Sequence, residues 1–145
     1  MLQTTPFILF DGNCKQAMSF YKECLGGELT LIKLGDTPMK EQFPQEKHDR
    51  IIYAQLKNDN IDLSATDWMA SPILEPKKGN TFSIYLTGES YDELKPAFDK
   101  LANGADKDKR TFMELNNVPF GVYGQLTDKY GVSWIFRGTQ TNVTP

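Results

Sequence analysis

Phenol and amide side chains recur at one spacing in two stretches of the sequence, "RIIYAQL" and "FGVYGQL". Alternate side chains of an extended strand point to the same face, so Tyr53 lies beside Gln55 on one strand and Tyr123 beside Gln125 on another. Both groups donate and accept hydrogen bonds, and a few of them in an apolar pocket orient a small planar or oxygenated ligand. We predict that these four residues bind a ligand. In the alternative, the glutamines hydrogen-bond across the two halves of the chain and the tyrosines fill the floor of a barrel.

Trp68 and Arg137 are two further residues that we predict to contact a ligand. Trp68 follows the segment "IDLSATD", where its ring could stack on a ligand before a Pro-rich linker begins. In "VSWIFRG", alternation turns Trp134 and Phe136 under a helix and directs Arg137 to the opposite face. A cation on an otherwise uncharged wall favours an anionic ligand. An arginine at a strand end is otherwise a solvated charge at the rim.

The other reactive side chains do not form a catalytic cluster. The single histidine, His48, has no second histidine near it and is predicted to be solvated. Cys14 and Cys24 lie on one predicted helix, ~15 Å apart along its axis, which is too far for a disulfide. They are predicted to be buried free thiols. Carboxylate pairs such as Asp106 and Asp108 lie in turns, where aspartate caps the backbone.

The elements that carry these residues follow the order β-α-β-β-β twice. In the first half, a strand precedes a helix that is predicted to begin at the N-cap Asn13, and three strands follow. In the second half, Ser90 and Glu93 have the spacing of a capping box, and Pro96 is expected to bend the helix. The predicted elements of the first half are "PFILFDGN", "NCKQAMSFYKECLGG", "ELTLIKLG", "RIIYAQLKND" and "IDLSATD". Those of the second half are "NTFSIYLTG", "SYDELKPAFDKLANG", "RTFMEL", "FGVYGQL" and "VSWIFRG".

The repeat predicts an α+β fold in which two tandem βαβββ modules form a curved, cleft-bearing mixed β-sheet. One module is too small to bury its sheet alone, so the two are expected to pack together as one domain over residues 1–145. We place the modules at 5–68 and 81–138, with a linker at 69–80. The segment 35–49, rich in Pro and charge, is either a solvated loop or a cover for the cleft. On the strand "RIIYAQLKND", alternation puts Ile51 beside Tyr53 and turns Ile52, Ala54 and Leu56 toward the helix.

Composition excludes several classes of protein. The 145 residues are 39% hydrophobic and 24% charged, with a net charge of −3, which is typical of a soluble globular protein without a nucleic-acid surface. The chain has no apolar stretch of the length that spans a membrane, and its first residues do not read as a secretion signal. We expect a cytoplasmic protein without membrane or nucleic-acid partners.

Three segments carry a resemblance to a known family: "PFILFDGNCKQAMSFYKECLGGEL", "SYDELKPAFDKLANG" and "GQLTDKYGVSWIF". They resemble the PhnB-like, or demethylubiquinone-methyltransferase-like, branch of the vicinal oxygen chelate superfamily, and the likeness covers residues 6–137. That superfamily includes glyoxalase I, extradiol dioxygenases, fosfomycin-resistance enzymes and bleomycin-binding proteins. Methyl transfer is not expected, because the chain has no glycine-rich strand-to-helix loop with a following acidic residue to hold an adenosyl cofactor.

The resemblance also implies where a divalent metal would be held, by His, Glu or Gln on the first and fourth strands of each module. The corresponding positions are Pro6, Ser64, Phe82 or Ser83, and Ile135, which are poor metal ligands or none at all. We therefore predict no metal and no cofactor.

Three functions follow from these patterns. The first is a metal-free small-molecule binding protein, and the second is a metal-dependent lyase, isomerase or dioxygenase. The third is a protein whose cleft is filled by its own side chains and whose role is assembly. Members of the resembled family are commonly dimers, and open sheet edges need protection, so we expect a homodimer.

Overall fold

A computed structural model describes residues 1–69, 75–108 and 110–140, which form two compact units, Met1–Lys77 and Lys78–Pro145. The first contains β1 (Phe7–Phe10), α1 (Cys14–Leu25), β2 (Glu28–Lys33), β3 (Ile51–Lys57) and β4 (Asp62–Asp67). The second contains β5 (Ile84–Gly88), α2 (Tyr91–Ala102), β6 (Met113–Val118), β7 (Gly121–Thr127) and β8 (Ser133–Gly138). The predicted α+β order of two βαβββ modules is confirmed. The module limits stay a prediction, and residues 70–74 of the predicted linker lie outside the described residues.

Each unit has one four-stranded mixed sheet with the same topology. The strand orders are β1-β4-β3-β2 and β5-β8-β7-β6, and in each the first strand pairs parallel with the last while the other pairs are antiparallel. The register aligns corresponding residues across the sheets. Ser64 lies between Phe7 and Gln55, and Ile135 lies between Tyr85 and Gln125.

One face of each sheet is covered by the helix of its own unit. In α1 the residues at helical spacing are buried, as are the inward residues of β3 and β4 (Cys14, Ala17, Met18, Tyr21, Ala54, Leu56, Leu63 and Ala65). In the second unit the Phe98 ring of α2 meets the Phe136 ring of β8 edge-on, with 5.0 Å between centroids. Trp134 and Phe136 are fully buried, as alternation predicted. We call the opposite surface of each sheet its helix-free face.

The two helices begin with different caps. Asn13 is the N-cap residue of α1, as predicted, but its side chain makes no cap bond. Asp67, at the end of β4, takes this role: its Oδ1 accepts hydrogen bonds from the N–H groups of Gly12 (2.9 Å) and Cys14 (3.0 Å). Its Oδ2 accepts the Ile51 N–H at 2.8 Å, so this buried carboxylate joins the helix start to β3. A carboxylate is also the charge that a helix N-terminus favours.

In α2 the predicted capping box is confirmed. Ser90 Oγ accepts the Glu93 N–H at 3.2 Å, and Glu93 Oε1 accepts the Glu89 N–H at 3.0 Å. The helix continues through Pro96 to Ala102.

Three details differ from the predictions. Ile51 is buried with Ala54 and Leu56 rather than lying beside Tyr53, because the register with β2 shifts there and breaks the alternation. β6 begins at Met113, later than the predicted "RTFMEL" segment. His48 is half-buried, and its Nε2 lies 2.9 Å from the Lys40 carbonyl oxygen and 3.2 Å from that of Phe43.

The contact of His48 with the Lys40 and Phe43 carbonyl oxygens lies in the segment before β3, which contains short 3-10 turns at Leu34–Asp36, Pro38–Gln42 and Gln45–Lys47. The part of the chain that the structure describes contains no helix long and apolar enough to cross a membrane.

Candidate functional site

The helix-free face of the second sheet carries a hydrogen-bonded phenol and amide. Tyr123 and Gln125 are half-buried on β7, while Val122 and Leu126, which flank the pair, are buried under α2. The Tyr123 hydroxyl donates to Gln125 Oε1 at 3.3 Å. This bond uses the amide oxygen and leaves the Nε2 donor of Gln125 without a protein partner among the described residues.

Apolar side chains surround this amide on the same face. Ile135 of β8 is its cross-strand neighbour on one side and Met113 of β6 on the other. Tyr85 of β5 lies next to Ile135 and is 58% exposed. The arrangement provides a hydrocarbon surface with one directed donor, which is the composition of small-molecule sites.

Arg137 completes this face. It is the cross-strand neighbour of Tyr123, and its guanidinium carbon lies 5.1 Å from the centre of the Phe120 ring. One terminal nitrogen donates to the Phe120 carbonyl oxygen at 3.3 Å. Its Nε is buried and has no hydrogen-bond partner in the described structure.

The helix-free face of the first sheet differs in its polar contacts. The Nε2 of Gln55 donates to Asp62 Oδ1 at 3.2 Å, and the Thr5 hydroxyl donates to Asp62 Oδ2 at 3.2 Å. Tyr53 is half-exposed beside Ile32 of β2. The amide donor that is unpaired on the second sheet is therefore bound to a carboxylate on the first.

Trp68 follows β4 and extends its pairing with β1. The Trp68 N–H donates to the Phe10 carbonyl oxygen at 2.6 Å, and the Arg50 guanidinium donates to the Trp68 carbonyl oxygen at 2.7 Å. The Lys47 ammonium lies 6.0 Å from the centre of the indole ring. These contacts hold the residue in the first unit at the strand end, and its role in binding stays a prediction.

The register allows a test of whether the residues present fit a divalent metal. The residues level with Gln55 are Ser64 on β4 and Phe7 on β1, and those level with Gln125 are Ile135 on β8 and Tyr85 on β5. Tyr85 therefore replaces the predicted Phe82 or Ser83, because β5 begins only at Ile84. A phenyl ring, a phenol, an aliphatic chain and a serine hydroxyl do not make a donor set for a hard or borderline cation.

The His, Cys, Asp and Glu side chains elsewhere in the described structure do not provide a metal site either. Among residues 1–69, 75–108 and 110–140, no three His, Cys, Asp or Glu side chains are grouped so that they could hold a metal ion. The residues of this chain do not fit the metal that the superfamily resemblance implies.

Both cysteines are buried and neither forms a disulfide, as predicted. Cys14 lies at the start of α1, where a thiol usually becomes more acidic. Here burial, and then the charge of Asp67, raise the pKa of the Cys14 thiol to about 12. At neutral pH this side chain is a packing group and not a nucleophile.

Sequence reasoning missed Asp67, which caps α1, and three residues near Gln125 and Arg137: Tyr85, Met113 and Phe120. Alternation along "SIYLTG" could have found Tyr85. Phe120 lies in the turn before β7, and only the three-dimensional structure brings its ring to Arg137.

Solved structures share this fold. A glyoxylase/bleomycin resistance protein/dioxygenase domain from Frankia sp. EAN1pec shares the fold with a TM-score of 0.63, over 97% of this chain and 98% of that chain, at 13% identity. The fold is therefore that of the glyoxalase/bleomycin resistance/dioxygenase superfamily.

Within this class, the family model described as 3-demethylubiquinone-9 3-methyltransferase matches residues 2–136, so the chain belongs to that family. Protein PA1353 from Pseudomonas aeruginosa is 31% identical, with a TM-score of 0.80 over 97% of this chain and 99% of that chain. Protein YjdN of Escherichia coli (strain K12) is 27% identical over an alignment of 142 residues, and the match covers 92% of this chain and 92% of that protein. The PhnB-like resemblance seen in the sequence is confirmed.

Proposed function

We propose that this protein binds a small organic molecule without a metal ion, on the helix-free face of its second sheet. The proposal is carried by one observation: Gln125 presents an unpaired amide donor beside Ile135, with its oxygen fixed by Tyr123. A fixed donor on a hydrocarbon surface orients a ligand that has at least one oxygen acceptor. The loss of water from Ile135 and Tyr85 on binding supplies a favourable, non-directional contribution.

The donor set supports binding over metal-assisted chemistry. A metal-dependent lyase, isomerase or dioxygenase needs several side chains that bind a cation and polarise an oxygen substrate. The positions level with Gln55 and Gln125 provide Phe7, Ser64, Tyr85 and Ile135 instead. The methyl transfer named in the family description is not part of the proposal, because the loop between β1 and α1 has one glycine, Gly12, and no glycine-rich turn.

Native mass spectrometry of protein taken directly from cells tests this proposal. We expect a small molecule to stay on the wild-type chain and to remain after treatment with a chelator. Elemental analysis of the same sample should find no stoichiometric zinc, nickel, manganese or iron. About one such ion per chain, whose removal abolishes a lyase or isomerase activity, would contradict the proposal.

We further propose that the chain forms a homodimer. Large apolar side chains are exposed at the first strand of each unit, with Phe7 at 62% and Phe82, just before β5, at 89%. Exposed apolar groups of this size are typical of surfaces that another chain covers. Sedimentation at micromolar concentration should give the mass of two chains, and a single monomer species would contradict this.

A further inference from the structure

We infer that the ligand carries a carboxylate and that Arg137 binds it, an inference that rests on the binding function proposed above. The chain has three arginines, Arg50, Arg110 and Arg137. Arg50 is paired with Asp11 at 2.8 Å and Arg110 with Asp108 at 3.0 Å. Within the described residues Arg137 has no carboxylate partner, although it is the one that lies on the candidate face.

The charge of Arg137 is uncompensated on this face. The other strand residues of the helix-free face are uncharged (Tyr85, Thr87, Met113, Asn116, Tyr123, Gln125, Thr127, Ser133 and Ile135). The exposed carboxylate of Glu114, next to Met113, instead lines a groove on the helix side with Phe98 of α2 and Lys107. A ligand that lies on the helix-free face therefore meets one positive charge and no negative one.

The Arg137 guanidinium uses only a small part of its hydrogen-bonding capacity in its contacts within the described structure. Its single bond to the Phe120 carbonyl oxygen is long, at 3.3 Å, and the buried Nε has no acceptor. A buried donor without a partner has lost its hydrogen bonds to water and gained none in return. A small rotation away from Phe120 gives up one long bond and the contact with the Phe120 ring, and it brings Nε to the surface, where a carboxylate can bridge Nε and a terminal nitrogen.

The position of Arg137 limits the shape of the ligand. Ile135 lies two residues back along β8, a rise of about 6.6 Å, with Tyr85 beside it and the amide of Gln125 across from it. That length suits a carboxylate on one aromatic ring or an aliphatic body of similar size. The planar carboxylate matches the guanidinium fork, and a lysine at this position would offer only a point charge.

Nitrogen-15 NMR of the three arginine Nε–H groups tests this inference, with benzoate as the probe. Millimolar benzoate should move the Nε–H resonance of Arg137 and leave those of Arg50 and Arg110 in place. Benzamide, which has the same ring without the charge, should have little effect, and inorganic phosphate, which lacks the apolar body, should bind more weakly. Arg137→Lys should weaken benzoate binding about tenfold, and Arg110→Lys, the matched control, should leave it unchanged.

Three results would overturn the inference: an Arg137 resonance that does not move with benzoate, equal shifts with benzamide, or equal affinity in Arg137→Lys protein whose backbone amide spectrum is native. The proposed function fails separately. If wild-type protein from cells retains a neutral molecule that is lost in Gln125→Leu but kept in Arg137→Lys, binding stands and the carboxylate is wrong. If no molecule is retained and no probe binds, both fail.

Discussion

The two sheets have the same topology, and the same register over three of their four strands, but different polar contacts on their helix-free faces. On the first sheet, Gln55 and the Thr5 hydroxyl both bind Asp62, so the polar groups satisfy one another. On the second, the residue at the position of Asp62 is Ser133, and the residue at the position of Thr66 is Arg137. Duplication supplied two similar scaffolds, and a few side-chain differences leave only the second with a glutamine amide donor that lacks a protein partner in the described structure.

The units also differ in how they fix their helices. Asp67 in β4 holds the start of α1 and β3 together, whereas the corresponding residue of β8 is Gly138. A Cβ on Gly138 would lie 2.8 Å from the Val122 Cβ, so no side chain fits there. The second unit relies on the local cap of Ser90 and Glu93 instead.

The largest expected effect comes from removing the cap of the first unit. Asp67→Ala leaves the buried N–H groups of Cys14 and Ile51, and that of Gly12, without their acceptor. We expect the free energy of unfolding to fall by about 3–5 kcal/mol, measured by urea denaturation. Asp59→Ala, in an exposed turn, is the control and should change stability by less than about 0.5 kcal/mol. A loss in Asp67→Ala no greater than in this control would refute the role of Asp67.

A second test changes the residue between the tyrosine and the glutamine of each repeated stretch, which is Ala54 in the first unit and Gly124 in the second. A Cβ on Gly124 would lie 3.0 Å from the Leu115 Cα and 3.1 Å from the Phe98 ring, so Gly124→Ala should cost about 1–3 kcal/mol by overpacking. Ala54 is fully buried, so Ala54→Gly should cost about 1 kcal/mol through lost packing and added chain entropy. If either variant is as stable as wild type, or more stable, the two units do not need different residues at this position between helix and sheet.

The raised pKa of Cys14 predicts a pH dependence confined to the first unit. Its folded value of about 12 lies above the ordinary value of 9.0, so the unfolded chain loses this proton first as pH rises. Stability from this thiol is complete below pH 9 and declines between 9 and 12, by about 1 kcal/mol at pH 10. Urea denaturation at pH 8 and pH 10 should show this loss in wild type and not in Cys14→Ala. The same loss in both would assign the effect to other groups.

A smaller effect than that of Asp67→Ala is expected from the cap of the second unit. Ser90→Ala removes one acceptor for the Glu93 N–H and should cost about 1 kcal/mol, because the cap is exposed and water can replace it. Ser90→Asp keeps an acceptor and should restore most of the loss. If Ser90→Ala destabilises as much as Asp67→Ala, the contrast between the two caps is wrong.

The sequence predicted the elements well because their signals are local. Alternation identified the faces of Tyr123, Gln125 and Arg137, and the spacing of Ser90 and Glu93 identified a cap. It failed where the structure depends on partners distant in the chain. Asp67 caps a helix that begins 53 residues earlier, and nothing local distinguishes it from a strand-end aspartate.

The positions of the two glutamines were predictable from the sequence pattern, but their hydrogen-bonding partners were not. Gln55 and Gln125 occupy equal positions in equal patterns, and only the contacts across strands reveal that Asp62 engages one of them. The bulge that buries Ile51 is likewise a property of the pairing with β2.

The most direct test of the whole description compares Gln55→Leu with Gln125→Leu by native mass spectrometry of protein from cells. Because the Gln55 amide is bound to Asp62 and that of Gln125 is available, the retained small molecule should be kept in the first variant and lost in the second. Retention in both variants, or loss from both, would contradict a site on the helix-free face of the second sheet.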